Sequence, residues 1–196
     1  MPTTVRTILI VTIVSFLLQM SVGNNMISGF ALWPLQSGFM ATSHFMPWQL
    51  FTYAFLHADL MHLAFNMYGL WMFGRELELL LGSKVMFKLY FASVLSAALM
   101  QLLATNITGG SYPTVGASGG VFGMLLAYGM MFPKRTIMLL IPPIPMPAWV
   151  FVTLYAILEL IFGVTGTQSG VAHFAHLGGM IGGYMVIRHW RRRRWG

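Results

Sequence analysis

The stretch His173-Phe174-Ala175-His176-Leu177-Gly178-Gly179-Met180-Ile181-Gly182-Gly183-Tyr184-Met185-Val186-Ile187 leads directly into Arg188, Arg191, Arg192, Arg193 and Arg194. The apolar run over 171–189 has the length, about 20 residues, that a helix needs to cross a bilayer. A basic cluster placed just after such a run reads as an anchor at anionic lipid headgroups. The net charge of +7 is therefore read as a membrane signal, not as the footprint of a nucleic-acid partner. Hydrophobic residues make up 57% of the chain and charged ones 8%, and the mean hydropathy is +0.74. A water-soluble domain carries about a quarter of its residues charged, and a disordered chain combines low hydrophobicity with high charge. Both classes are excluded. With no cysteine, there is no disulfide framework, thiolate nucleophile or Cys-ligated metal.

Five more stretches of spanning length lie upstream, over 7–23, 59–80, 85–105, 117–133 and 147–164. Arg6 ahead of the first run is like the start of a signal peptide. The following Val22-Gly23-Asn24-Asn25-Met26 lacks a small-residue cleavage site, so the segment is expected to be retained. A long first loop holds Trp33, Pro34, Phe39, Phe45, Pro47 and Trp48, a composition suited to the membrane interface. The expectation is a single all-α membrane domain over 1–196, with six transmembrane helices and a basic cytoplasmic tail at 190–196. Arg6, Arg75, Lys84, Lys88, Lys134, Arg135 and the C-terminal arginines all fall on one side of this layout, whereas the loops 24–58, 106–116 and 165–170 carry no Lys or Arg. The positive-inside rule places both termini in the cytoplasm. The second, fourth and sixth spans then begin on the far side, and their first turns meet at similar depth.

Polar groups inside a membrane default to functional candidates, and they gather at those three helix starts. His62 and Asn66 lie four apart, on one helical face. Gly116-Ala117-Ser118-Gly119-Gly120 opens the fourth span, and His173 and His176 open the sixth. Gly119-x3-Gly123 and Gly179-x3-Gly183 form small-residue faces that let two helices approach closely in lipid. Such faces also serve ordinary packing, and a Ser at a helix start is often only a cap. The conjunction is more informative: an alcohol needs an adjacent base to become a nucleophile, and an imidazole exchanges protons near neutral pH. Ser118 and His176 are the candidate pair. Backbone N–H groups in the first turn of the fourth span lack helical partners. With His62 and Asn66 they supply donors for an oxyanion.

The acidic residues are only Asp59, Glu76, Glu78 and Glu159. Asp59 suits a helix start, and Glu76 and Glu78 belong to the cytoplasmic end of the second span. Glu159, toward the outer end of the fifth, is the remaining carboxylate candidate. The sequence favours a Ser–His dyad over a triad, and it places no carboxylate with the histidines.

These residues resemble the rhomboid intramembrane serine proteases, in their bacterial, minimal six-helix form. The resemblance rests on His62-x3-Asn66, Glu78-x3-Gly82, Gly116-x-Ser118-Gly119 and Ala175-His176-x2-Gly179-x3-Gly183, and spans roughly 47–187. It implies Ser118 as nucleophile and His176 as base, with His62, Asn66 and the Ser118 amide at the oxyanion. It implies that Phe122, where relatives often carry Tyr, packs on the His176 ring, and that His173 orients water or substrate. Gly116, Gly119, Gly179 and Gly183 would support the site. The fifth span would be a mobile wall that admits a substrate helix. Gln49 stands where many relatives carry Arg in a Trp-Arg pair that anchors the first loop. The implied activity is hydrolysis of a peptide bond in or near the transmembrane segment of membrane-protein substrates, with no cofactor. The implied location is a bacterial inner membrane, with the site opening to the non-cytoplasmic side. Two rivals stand beside it: a non-catalytic relative that binds membrane proteins, and a metal site or transporter built from His57, His62, His173 and His176.

Overall fold

Helices form where the sequence runs apolar, and they stop at glycine, proline or a polar cap. The computed structural model describes residues 1–35, 43–138, 143–167 and 170–195. α1 (Thr3–Val22) is followed by the short α2 (Asn24–Phe30), and α3 (Gln49–Thr52) leads through a 3-10 turn (Tyr53–Phe55) to α4 (Leu60–Leu81). Asp59 caps α4, its carboxylate accepting the His62 backbone N–H at 2.8 Å. Gly82, at a φ of 82° that other residues rarely adopt, turns the chain straight into α5 (Ser83–Thr108). α6 (Ser118–Met131), α7 (Ala148–Thr165) and α8 (His173–Trp195) complete the bundle. α1, α5 and α7 are each long and apolar enough to cross a membrane, and α6 is a shorter apolar helix. The protein is an all-α integral membrane bundle.

α8 packs against α5 and α6 at the centre, α4 lies on α6, and α1 lies on α4. Glycine sets the central spacing. A methyl group on Gly179 would overlap the backbone of Gly119, and one on Gly183 would overlap Gly123. Gly178 and Gly182 meet α5 at Ala97 and Ser93 in the same way. α7 sits at the periphery, burying only Ala148, Val152 and Glu159.

One buried acid fastens the N-terminal helix. The Glu78 carboxylate accepts the backbone N–H groups of Thr4 and Val5, each at 2.8 Å, and the Ser83 hydroxyl at 2.6 Å. Those N–H groups begin α1, where the helix offers no partner and its dipole favours negative charge.

Three features depart from a plain reading of hydropathy. The basic segment at 190–195 continues α8 instead of leaving it, because arginine is a good helix former and suits the negative end of the dipole. Arg191 also donates to the Met130 carbonyl. The connection between α6 and α7 pairs β1 (Thr136–Met138) with β2 (Pro145–Pro147) in a short antiparallel ladder. In the first loop, Gln49 is buried and fully engaged. Its Oε1 accepts from the Trp33 and Met46 backbone at 3.2 Å each, and its Nε2 donates to the His44 and Gly29 carbonyls at 3.3 and 3.4 Å. Gln49 thus ties this part of the loop together without an arginine. Phe39 lies outside the described residues.

Candidate active site

Ser118 is the first residue of α6, and its place depends on the glycine two positions earlier. Gly116 has a φ of 125°, and a methyl group there would stand 2.8 Å from His62 Cε1 and Nε2 and 3.7 Å from Ser118 Oγ. Only the absence of a side chain lets the chain turn this tightly beside the His62 ring. The Tyr53 carbonyl accepts the Gly116 N–H at 3.0 Å, and the loop is tied farther out by paired bonds between Leu32 and Thr114 at 2.9 and 3.0 Å.

From α8, His176 brings Nε2 to 2.9 Å from Ser118 Oγ. The contact exists because Gly119 and Gly179 let the two helices touch backbone to backbone one turn below. The His176 ring is stacked on Phe122, with centroids 4.1 Å apart and planes 5° from parallel. An alcohol at this distance from an imidazole nitrogen can pass it a proton as the oxygen attacks.

The other nitrogen of His176 is also occupied. Glu159 Oε2, from α7, lies 2.9 Å from His176 Nδ1 and 2.7 Å from His173 Nδ1, and all three residues are buried. The sequence placed no carboxylate among the histidines, and this expectation is corrected. In a run as uniformly apolar as Ala148–Thr165, periodicity does not show which face turns inward. The one usable signal was the acid itself, alone in an apolar helix. The nitrogen and oxygen atoms of Glu159, His173 and His176 lie within 4.8 Å of one another, close enough to serve a metal ion. As arranged, both Nδ1 atoms are committed to the carboxylate oxygen. His173 Nε2 is buried without a hydrogen-bond partner among the described residues.

On α4, His62 is half-buried and faces Gly116, while Asn66 lies one turn farther along on the same face and is buried. The Asn66 amide donates to the His62 carbonyl at 2.9 Å, leaving its second N–H available. The first-turn N–H groups of α6 project from the same end as Ser118. His57 completes the surroundings: its Nε2 accepts the Ala117 N–H at 3.4 Å, and its ring meets that of His62 at 5.0 Å. Gln19 of α1 holds His57 by the backbone, donating to its carbonyl at 2.7 Å and accepting its N–H at 3.1 Å. Burial, with the neighbouring His62 ring adding to it, pushes the His57 imidazole down to about 4. It is therefore neutral at physiological pH. The Gln19–His57–Ala117 chain was not legible in the sequence, since each link runs between segments far apart in the chain.

The family model described as Rhomboid domain matches residues 44–193. Rhomboid protein 1, mitochondrial, of Saccharomyces cerevisiae is 33% identical over 141 residues, covering 67% of this chain and 38% of that protein. Rhomboid protease GluP of Bacillus subtilis is 29% identical over 141 residues, 71% of this chain and 25% of its own length. Rhomboid protease GlpG of Serratia proteamaculans is 28% identical over 185 residues, 92% of this chain and 60% of that one. The chain thus spans less than two thirds of the length of each of these relatives. With two thirds or more of its own residues matched in each case, and with the site found on the matched segment, the chain belongs to the rhomboid family.

Proposed function

We propose that the protein is an intramembrane serine endopeptidase, with Ser118 as nucleophile and His176 as its base and then its acid. The observation that carries this reading is the 2.9 Å contact between Ser118 Oγ and His176 Nε2 at the start of a 14-residue helix. At ~1.5 Å per residue, α6 is about 21 Å long, whereas the hydrocarbon core is about 30 Å thick. A helix this short supports a reading in which its other end lies near the cytoplasmic face and Ser118 lies below the outer lipid boundary. The scissile bond then belongs to a transmembrane segment or its margin.

Attack by Oγ on the carbonyl carbon sends the hydroxyl proton to His176 Nε2, which returns it to the leaving amine. The developing oxyanion is met by His62, the second N–H of Asn66 and the Ser118 amide. A substrate helix hides its carbonyls in its own hydrogen bonds, so segments with helix-breaking or small residues near the cut are the favoured substrates. The one-sided distribution of Lys and Arg supports cytoplasmic termini and a site open to the opposite side, and the membrane we propose is a bacterial inner membrane.

The test is labelling by a fluorophosphonate probe together with cleavage of a panel of single-span proteins in liposomes. We expect labelling on Ser118 and cleavage, both lost in Ser118→Ala and His176→Ala proteins that still fold. Equal labelling of wild type and Ser118→Ala would dismiss the assignment.

A further inference from the structure

α7 carries a single acid in an otherwise apolar run, and the fold turns that acid inward. Glu159 is 6% exposed, and beyond Val152 it is the only buried residue of α7 among those described. Its Oε2 receives two imidazoles at once, His173 Nδ1 at 2.7 Å and His176 Nδ1 at 2.9 Å. A neutral imidazole has one N–H and one lone pair, and an ionised carboxylate only accepts. With Glu159 ionised and His176 neutral, the heavy-atom geometry calls for the proton of His176 on Nδ1 and the lone pair of Nε2 toward Ser118 Oγ, 2.9 Å away. This is the tautomer in which His176 can receive a proton from the serine. His173, bonded to the same oxygen, restrains the carboxylate from rotating away.

We propose that Glu159 is a positioning residue for His176, making a Ser118–His176–Glu159 relay whose third member is borne by the peripheral helix α7. The proposal rests on the serine hydrolase reading above. Glu159 touches neither substrate nor the reacting atoms. It acts by fixing the tautomer and ring orientation of His176 and by facing the imidazolium that forms when Ser118 gives up its proton. It also ties the geometry of the base to the seating of α7, whose second half buries no other residue fully and otherwise meets α8 through the partly buried Phe162 and Gly163.

A fluorophosphonate reports these effects without a known substrate. Ser118 Oγ forms a bond to phosphorus, the P–F bond breaks and fluoride leaves, and the hydroxyl proton passes to His176 Nε2. The maximal labelling rate, kinact, then reads the chemistry, and KI reads binding. With the purified full chain in detergent, we expect Glu159→Gln to lower kinact by about 10²-fold or more, because an amide no longer selects the tautomer. KI should stay within about threefold of wild type. Glu159→Asp, which keeps the carboxylate on a shorter stem, should recover part of the loss. A folded Glu159→Gln protein with kinact within about threefold of wild type would overturn the proposal. Should Glu159→Gln fail to fold, histidine 15N spectra of the wild type decide, with His176 assigned through His176→Ala. A neutral Nδ1–H tautomer supports the relay, and an Nε2–H tautomer overturns it. Ser118→Ala separates the two levels. Labelling lost there but retained in Glu159→Gln removes only the role of Glu159, whereas labelling retained in Ser118→Ala removes the serine reading itself.

Discussion

Phe122 and His176 lie face to face, with ring centroids 4.1 Å apart and planes 5° from parallel, although they come from different helices. The imidazole is thus held on one face by an aromatic ring, at one nitrogen by Glu159 and at the other by Ser118. Tyr155 of α7 packs on Phe122 in turn, at 5.5 Å. Aromatic pairs contribute about 0.5–1.5 kcal/mol beyond the area they bury. If that restraint holds the imidazole in its reactive orientation, Phe122→Leu should lower the turnover of a cleavable single-span substrate by up to about tenfold. Phe122→Tyr, which keeps the ring, should remain near wild type. Unchanged turnover in a folded Phe122→Leu protein would show that the stack is packing alone.

The donors on α4 allow a sharper kinetic test. His62 faces Gly116 beside Ser118, and Asn66 is held one turn away by its bond to the His62 carbonyl. Donors that meet charge only in the transition state affect kcat and leave ground-state binding largely alone. His62→Ala and Asn66→Ala should each lower kcat by up to about 10²–10³-fold, with a much smaller change in KM. Equal losses in kcat/KM arising wholly from KM would assign both residues to substrate binding.

Different features of the sequence differed in legibility for physical reasons. Runs of apolar residues of spanning length have few alternatives to a membrane helix, so the long helices of the bundle were legible, whereas the short elements of its loops were not. The Ser118–His176 pair was legible because paired glycine faces say which helices can touch and roughly where. Helix ends were less so: hydropathy falls at Arg191 while helix propensity does not, so α8 runs on through the basic segment. Glu159 escaped because a helix apolar all round hides its inward face, and α7 fully buries only Ala148, Val152 and that one acid. Gln49 escaped because its partners are backbone groups of a loop, to which side-chain patterns give no access.

Close approach of α6 and α8 can be tested without any activity assay. A Cβ at Gly179 would strike the Gly119 backbone, which cannot swing aside as a side chain can. Overpacking a tight interface costs about 1–3 kcal/mol and sometimes more. Gly179→Ala should therefore lower the thermal unfolding midpoint clearly, and it should weaken labelling at Ser118 by spreading the two helices. Gly29→Ala is the control, because nothing lies within 4 Å of a Cβ there and its backbone is helical. A Gly179→Ala protein as stable as Gly29→Ala would contradict the backbone contact.

His57 predicts a pH dependence whose sign follows from its burial. The ring is fully buried, with Phe16 and His62 at 6.5 and 5.0 Å, and its Nε2 accepts the N–H of Ala117, the residue before Ser118. Burial is the main cause that lowers it from 6.5 to about 4. Between those values the unfolded chain binds a proton that the folded protein refuses, so stability rises with pH across the window. The contribution is fully present above about 6.5 and is lost progressively as pH falls toward about 4, by at most about 1.4 kcal/mol for each pH unit. Protonated Nε2 could no longer accept from Ala117, so the turn that presents Ser118 should loosen in the same range. Unfolding midpoints of wild type should therefore fall more steeply on acidification than those of His57→Gln, which has no proton to gain. Parallel slopes for the two proteins would mean that the folded state takes up the proton freely, and that the ring is not shielded as the packing around it requires.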